Sequence, residues 1–306
     1  MMSLRYLQMD VFAERPGDGN PLGAVLDGGR FDPARMQAFA AWTNLSETIF
    51  LLPPTAPGAD YRVRIFTPRS ELPFAGHPSV GAAWAALDAG LVPADRTTLV
   101  QECAAGLLPV RVERIGDACR SHASHTHASH THACRTHVRA PRARRVGGAD
   151  LAPALAAAAV SGMRVGGPEP ALWDNGPRWW LASLADAAAV RSLAPDLAAI
   201  AALCTATGAV GLAVHAPEAR DGHHLVVRAF CPADGIPEDP VTGSAQAAIA
   251  AQLAAIDRLP GRDGRYVGSQ GRELGRDGRV CVEVDADGEV WVGGATQPVI
   301  RGSVAW

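Results

Sequence analysis

Arg64-Ile65-Phe66-Thr67-Pro68 returns further along the chain as Arg228-Ala229-Phe230-Cys231-Pro232. Each copy reads as a strand followed by a loop. Each loop then delivers a proline-flanked turn of small residues into an Ala-rich helix. The first turn is Pro73-Phe74-Ala75-Gly76-His77-Pro78, and the second is Glu238-Asp239-Pro240-Val241-Thr242-Gly243-Ser244. Strand–turn–helix units resemble one another in many proteins, which is the plain alternative. Matching downstream elements favour a true internal repeat. Two similar halves imply two similar domains, and ligands favour the crevice between domains.

Working outward, residues 4–12 read as a strand and 17–21 (Gly-Asp-Gly-Asn-Pro) as a turn-rich loop. Asp32 and Pro33 stand in cap and first-turn positions of a helix reaching Thr43. Strands are expected near 47–52 and 60–66, and a helix after Pro78 closed by Gly90. The uncharged stretch 197–214 is too rich in Ala, Gly and Thr for a membrane span, and reads as a helix ending near Gly208 followed by a strand.

Composition narrows the chemistry. The 306 residues carry a formal net charge of −3, with no long basic block that would point to nucleic acid. All 28 basic residues are arginines. A lysine Schiff base, a phosphate-loop lysine and a serine–lysine dyad are thereby excluded. GxGxxG, GxSxG and HExxH are absent as well. The opening MMSLRYLQMDVF lacks a signal-peptide pattern, and the 6 cysteines form no CxxC pair. A cytoplasmic protein is the expectation. Residues 122–132, HASHTHASHTH, repeat a pentamer between Cys119 and Cys134, with His137 following. A solvated connection made by tandem expansion is the favoured reading. Metal chelation by alternate histidines is the other.

The candidate chemistry lies at the two turns. A helix amino terminus offers unpaired N–H groups and the positive end of a dipole, which suit a carboxylate. Gly76 and Gly243 permit close backbone approach, and His77 and Ser244 stand beside them; ordinary capping is the alternative. Glu47, entering the apolar strand 49–52, is a candidate acid–base group, because partial burial there would raise a carboxyl pKa toward neutrality; an ordinary surface acid is the alternative. Asp239 is either a third such group or a cap. Glu71 is expected in solvent, and Cys231 reads as a core residue at a strand end.

These residues carry a family resemblance. NLSETIF (44–50), RIFTPRSELPFAGHPSVGAA (64–83) and RAFCPADGIPEDPVTGSA (228–245), with GNPLGAV (19–25) and VWVGGATQPVIRGSVAW (290–306), resemble the PhzF-like phenazine-biosynthesis isomerases. The resemblance implies an α+β diaminopimelate-epimerase-like fold: two pseudo-symmetric domains, each a curled, mostly antiparallel sheet around a central helix. The expected boundaries are 1–116 with 296–306 for the first domain, 117–137 for a His-rich insertion, and 138–295 for the second. VRAP (138–141) resumes the family pattern after the insertion.

By the same resemblance Glu47 is the catalytic carboxylate, with His77 and Asp239 as polar partners. Gly76, Gly243 and Ser244 hold a substrate carboxylate. Related racemases on this fold place a cysteine at each of the two acid–base positions, whereas this chain has Glu47 and Asp239. The implied enzyme is a homodimer that isomerises a small carboxylated substrate of the dihydro-hydroxyanthranilate type, with no metal or organic cofactor, no nucleic acid and no membrane. An epimerase acting on an amino-acid-like substrate and a non-catalytic binding protein are the alternatives.

Overall fold

The computed structural model describes residues 3–115 and 134–306, so the tract 122–132 and Cys119 lie outside the described residues. The chain divides into two compact units, residues 1–139 with 293–306, and residues 140–292. His137 and Cys134, grouped with the insertion on sequence, belong to a strand, Cys134–Arg139.

The first unit contains β1 (Ser3–Val11), β2 (Asn20–Val25), α1 (Pro33–Thr43), β3 (Glu47–Leu52), β4 (Tyr61–Phe66), β5 (Glu71–Leu72), α2 (Gly76–Asp88), β6 (Thr98–Cys103), β7 (Gly106–Arg114) and β8 (Cys134–Arg139). The second contains β9 (Arg144–Gly148), α3 (Pro153–Ala159), β10 (Ala171–Asp174), β11 (Arg178–Ser183), α4 (Ala187–Arg191), α5 (Leu197–Thr207), β12 (Gly211–Arg220), β13 (His223–Cys231), β14 (Ile236–Asp239), α6 (Gly243–Ala254), β15 (Arg265–Gln270) and β16 (Gly278–Val284). The last strand, β17 (Val290–Ala305), passes from the second unit back into the first.

The two units share one topology. In the first, β1 and β2 are antiparallel, β2 and β3 parallel, β3 and β4 antiparallel, β4 and β5 antiparallel, β4 and β6 parallel, and β6 and β7 antiparallel. From β10 the second unit repeats the series: antiparallel to β11, parallel from β11 to β12, antiparallel to β13 and on to β14, parallel from β13 to β15, antiparallel to β16. The Arg-x-Phe-x-Pro repeat occupies the equivalent strands β4 and β13. In the first unit β7 pairs β8, β8 pairs β17 and β17 pairs β1, which closes the circuit of strands.

The central helices follow from composition. α2 is buried at every position from Gly76 to Leu87, because Ala and Gly let strands approach from all round. It starts three residues before the expected position, so Gly76 and His77 belong to its first turn. A β-carbon on Gly81 would stand 2.4 Å from Leu22 Cδ2 and 3.0 Å from Val11 Cγ2. The buried strand side chains would have to yield. We therefore expect Gly81→Ala to cost stability, by about 1–3 kcal/mol, although alanine is the better helix former. Urea unfolding of the variant checks this, and an unchanged or raised midpoint would refute it.

Asp32 Oδ1 accepts the Arg35 N–H at 2.8 Å and caps α1. Gly208, at φ +65°, ends α5 in the left-handed region that glycine favours. Glu71 is exposed, as expected, and its carboxylate takes both Arg64 Nε (2.7 Å) and Arg64 Nη2 (2.6 Å). Glu238 holds Arg228 in the same forked way in the second unit, at 2.9 and 2.8 Å. Each arginine also stands over the phenylalanine two residues on, 5.2 Å from the Phe66 centroid and 5.0 Å from that of Phe230. Among the described residues no helix is long and apolar enough to cross a membrane.

Candidate active site

In the first unit, the turn between α1 and β3 sets the position of Glu47. Asn44, at φ 53°, ends α1 in the left-handed region that asparagine tolerates, and its N–H bonds Ala40 O. The chain then bends directly into β3. Ser46 Oγ donates to Asn20 Oδ1 at 3.2 Å, and Glu47 stands opposite Leu22 in the parallel β2–β3 pair. The hydroxyls of Thr43 and Thr48, on either side of the turn, are 3.0 Å apart.

His77 comes to Glu47 from α2. Its side chain is only 6% exposed and that of Glu47 only 17%, with His77 Nε2 3.4 Å from Glu47 Oε2. Burial pushes the Glu47 carboxyl up from 4.5 to about 7, opposed by the Ser46 hydroxyl. Taking a carboxylate out of water disfavours its charged form, so the acid becomes a group that takes and returns a proton near neutral pH. Gly76 is the first residue of the same helix and is buried.

In the second unit, Asp239 ends β14, and Gly243 and Ser244 open α6. Thr242 precedes α6 as its N-cap and donates its hydroxyl to Asp239 Oδ2 at 2.5 Å. Ser244 Oγ accepts the Trp179 indole N–H at 3.1 Å, and Ser244 O accepts Asn175 Nδ2 at 2.9 Å. An oxygen that already accepts from the indole keeps its own O–H for donation elsewhere. The sequence-chosen residues therefore gather as Glu47, Gly76 and His77 in one unit, and as Asp239, Gly243 and Ser244 in the other. Trp179, Asn175 and Gln270, which also touch the second group, were not singled out by sequence. The turn Asp174-Asn175-Gly176-Pro177 was a visible signal for Asn175 only. Cys231 ends β13 and is buried, as expected.

The repeated strand–turn–helix topology defines an α+β protein of the PhzF and proline-racemase-like fold class. The family model described as "Phenazine biosynthesis-like protein" matches residues 9–302, so the chain belongs to that family and is an isomerase. The trans-2,3-dihydro-3-hydroxyanthranilate isomerase of Pseudomonas aeruginosa is 35% identical over 286 residues, covering 93% of this chain and 92% of that one. Antisense-enhancing sequence 1 of Schizosaccharomyces pombe is 30% identical over 301 residues, covering 97% of each. Among solved structures, a predicted epimerase from Pseudomonas aeruginosa superposes with a TM-score of 0.77 at 30% identity, covering 99% of this chain and all of that one.

Proposed function

We propose that this isomerase moves a proton between carbons of a small carboxylated substrate, with Glu47 as base and then acid. The observation that carries this reading is the buried Glu47 carboxyl at about 7, with His77 Nε2 3.4 Å away. A group that titrates near working pH serves both halves of a proton shuttle, since neither protonation state is scarce. His77 steadies the carboxylate and the proton that it carries. Asp239 is the second polar partner in the transfer. Gly76, Gly243 and Ser244 anchor the substrate carboxylate through first-turn N–H groups and the Ser244 hydroxyl.

The substrate reading is trans-2,3-dihydro-3-hydroxyanthranilate or a close analogue, supported by the name of the 35% identical relative. The acid–base groups suffice for this chemistry, so the reading includes no metal or organic cofactor, and exhaustive chelation is expected to leave the rate unchanged. A homodimeric, cytoplasmic enzyme belongs to the same reading; light scattering on the purified chain checks the dimer.

The test is an NMR time course of the purified protein with that substrate in D₂O. Isomerisation with deuterium entering at one carbon supports the whole reading. Deuterium at an α-carbon with the skeleton unchanged would replace it by epimerisation. Absence of any conversion would remove this substrate.

A further inference from the structure

We infer that Gln270 and Thr242 form a one-directional hydrogen-bond relay that positions the Asp239 carboxylate, so that both are positioning residues for the proton transfer. The inference rests on the reading of Asp239 as a partner in that transfer.

The direction of the relay follows from donor and acceptor inventory alone. The Thr242 backbone N–H donates to Gln270 Oε1 at 3.0 Å, and Gln246 Nε2 reaches the same oxygen at 3.4 Å. A backbone N–H only donates, so the oxygen end of the Gln270 amide is identified without ambiguity. The nitrogen end then spends one N–H on Asp239 O, at 3.0 Å, and the other on Thr242 Oγ1, at 2.9 Å. Having accepted from Gln270, the Thr242 hydroxyl sends its own hydrogen to Asp239 Oδ2, at 2.5 Å.

Every intermediate group is shielded from water: Gln246 and Gln270 are buried to within 1% and Thr242 to within 6%. A flipped amide or a rotated hydroxyl would leave buried donors facing donors, so the alternatives are costly. The relay thus grips Asp239 at its backbone carbonyl and at Oδ2. Gln270 comes from β15 and Thr242 from the turn before α6. The strand therefore holds Asp239 at its backbone carbonyl, and the helix start holds it at its carboxylate.

The test compares Thr242→Val, Thr242→Ser, Gln270→Met and Asp239→Asn in the full-length chain. Thr242→Val keeps the shape and the backbone N–H but removes the hydroxyl. We expect its kcat to fall about 10- to 100-fold with KM within about twofold of wild type. Gln270→Met should fall in the same direction, and Thr242→Ser should recover most of the rate. A side-chain ¹³Cγ resonance of Asp239 that moves in Thr242→Val and returns in Thr242→Ser supports the relay without reference to any substrate. An unmoved resonance overturns it. So does a rise in KM at unchanged kcat, which would place Thr242 with the carboxylate anchor. An inactive Asp239→Asn beside an unaffected Thr242→Val refutes the relay and leaves the reading of Asp239 standing; an active Asp239→Asn refutes both.

Discussion

Replacing Glu47 by glutamine is expected to lower kcat/KM by about 10²–10⁴-fold while making the folded protein more stable above pH 7. The two effects have one cause. Burial raises the Glu47 carboxyl from 4.5 in open chain to about 7 in the folded state. Between those values the folded chain keeps a proton that the unfolded chain has released. Ionisation therefore costs folding free energy as pH rises through this window, and the full cost stands above pH 7. The difference between 4.5 and about 7 corresponds to a cost of about 3 kcal/mol. Glutamine, nearly the same shape and always neutral, avoids it. Glu47→Gln should thus exceed wild type by up to about 3 kcal/mol at pH 8, with the gain vanishing near pH 4. Thermal unfolding across pH measures this directly. A variant that is inactive and less stable at every pH would show a structural role instead. Wild-type turnover should fall as pH drops through about 7, because the proton-accepting form of Glu47 is lost.

The repeat supplies the second large effect, as a comparison within one molecule. Arg228 and Glu238 have side chains only 7% and 9% exposed, whereas their counterparts Arg64 and Glu71 are 19% and 34% exposed. Removing the acid at the buried fork leaves a guanidinium without its counter-charge in a dry setting. Arg228 Nη1 keeps the carbonyls of Val190 and Leu193, at 3.2 and 2.6 Å, which softens the loss. Glu238→Ala is expected to cost about 3 kcal/mol, at the low end for a broken buried pair. Glu71→Ala should cost about 1 kcal/mol or less, since water can take over the exposed fork. Urea unfolding of both variants decides the matter, and equal losses would refute the role given to burial.

Much of the fold was legible because its signals are local. The Asp32-Pro33 helix start, the glycine stop at 208 and the strand at 47–52 each depend on a few neighbouring residues. The repeat was legible because two equivalent strands met the same packing demand, an arginine fork over a phenylalanine. The acids of those forks were not. Glu71 lies seven residues from Arg64, across a turn, and nothing in the spacing says that β5 folds back antiparallel onto β4.

Sequence by itself determined that lysine chemistry is absent, that two matched halves each carry a helix-start turn, that His77, Asp239 and Ser244 are polar groups at those turns, and that Glu47 stands where a helix gives way to an apolar strand. Those are properties of composition and short-range order. Only the tertiary structure decided that Glu47 is taken out of water beside an imidazole from another element. Only the fold could likewise bring Trp179 onto Ser244, 65 residues apart, and Gln270 onto Thr242, 28 residues apart. A carboxyl's proton affinity and a hydroxyl's direction are set by what surrounds them in space. Those surroundings come from strands and helices far apart in the chain.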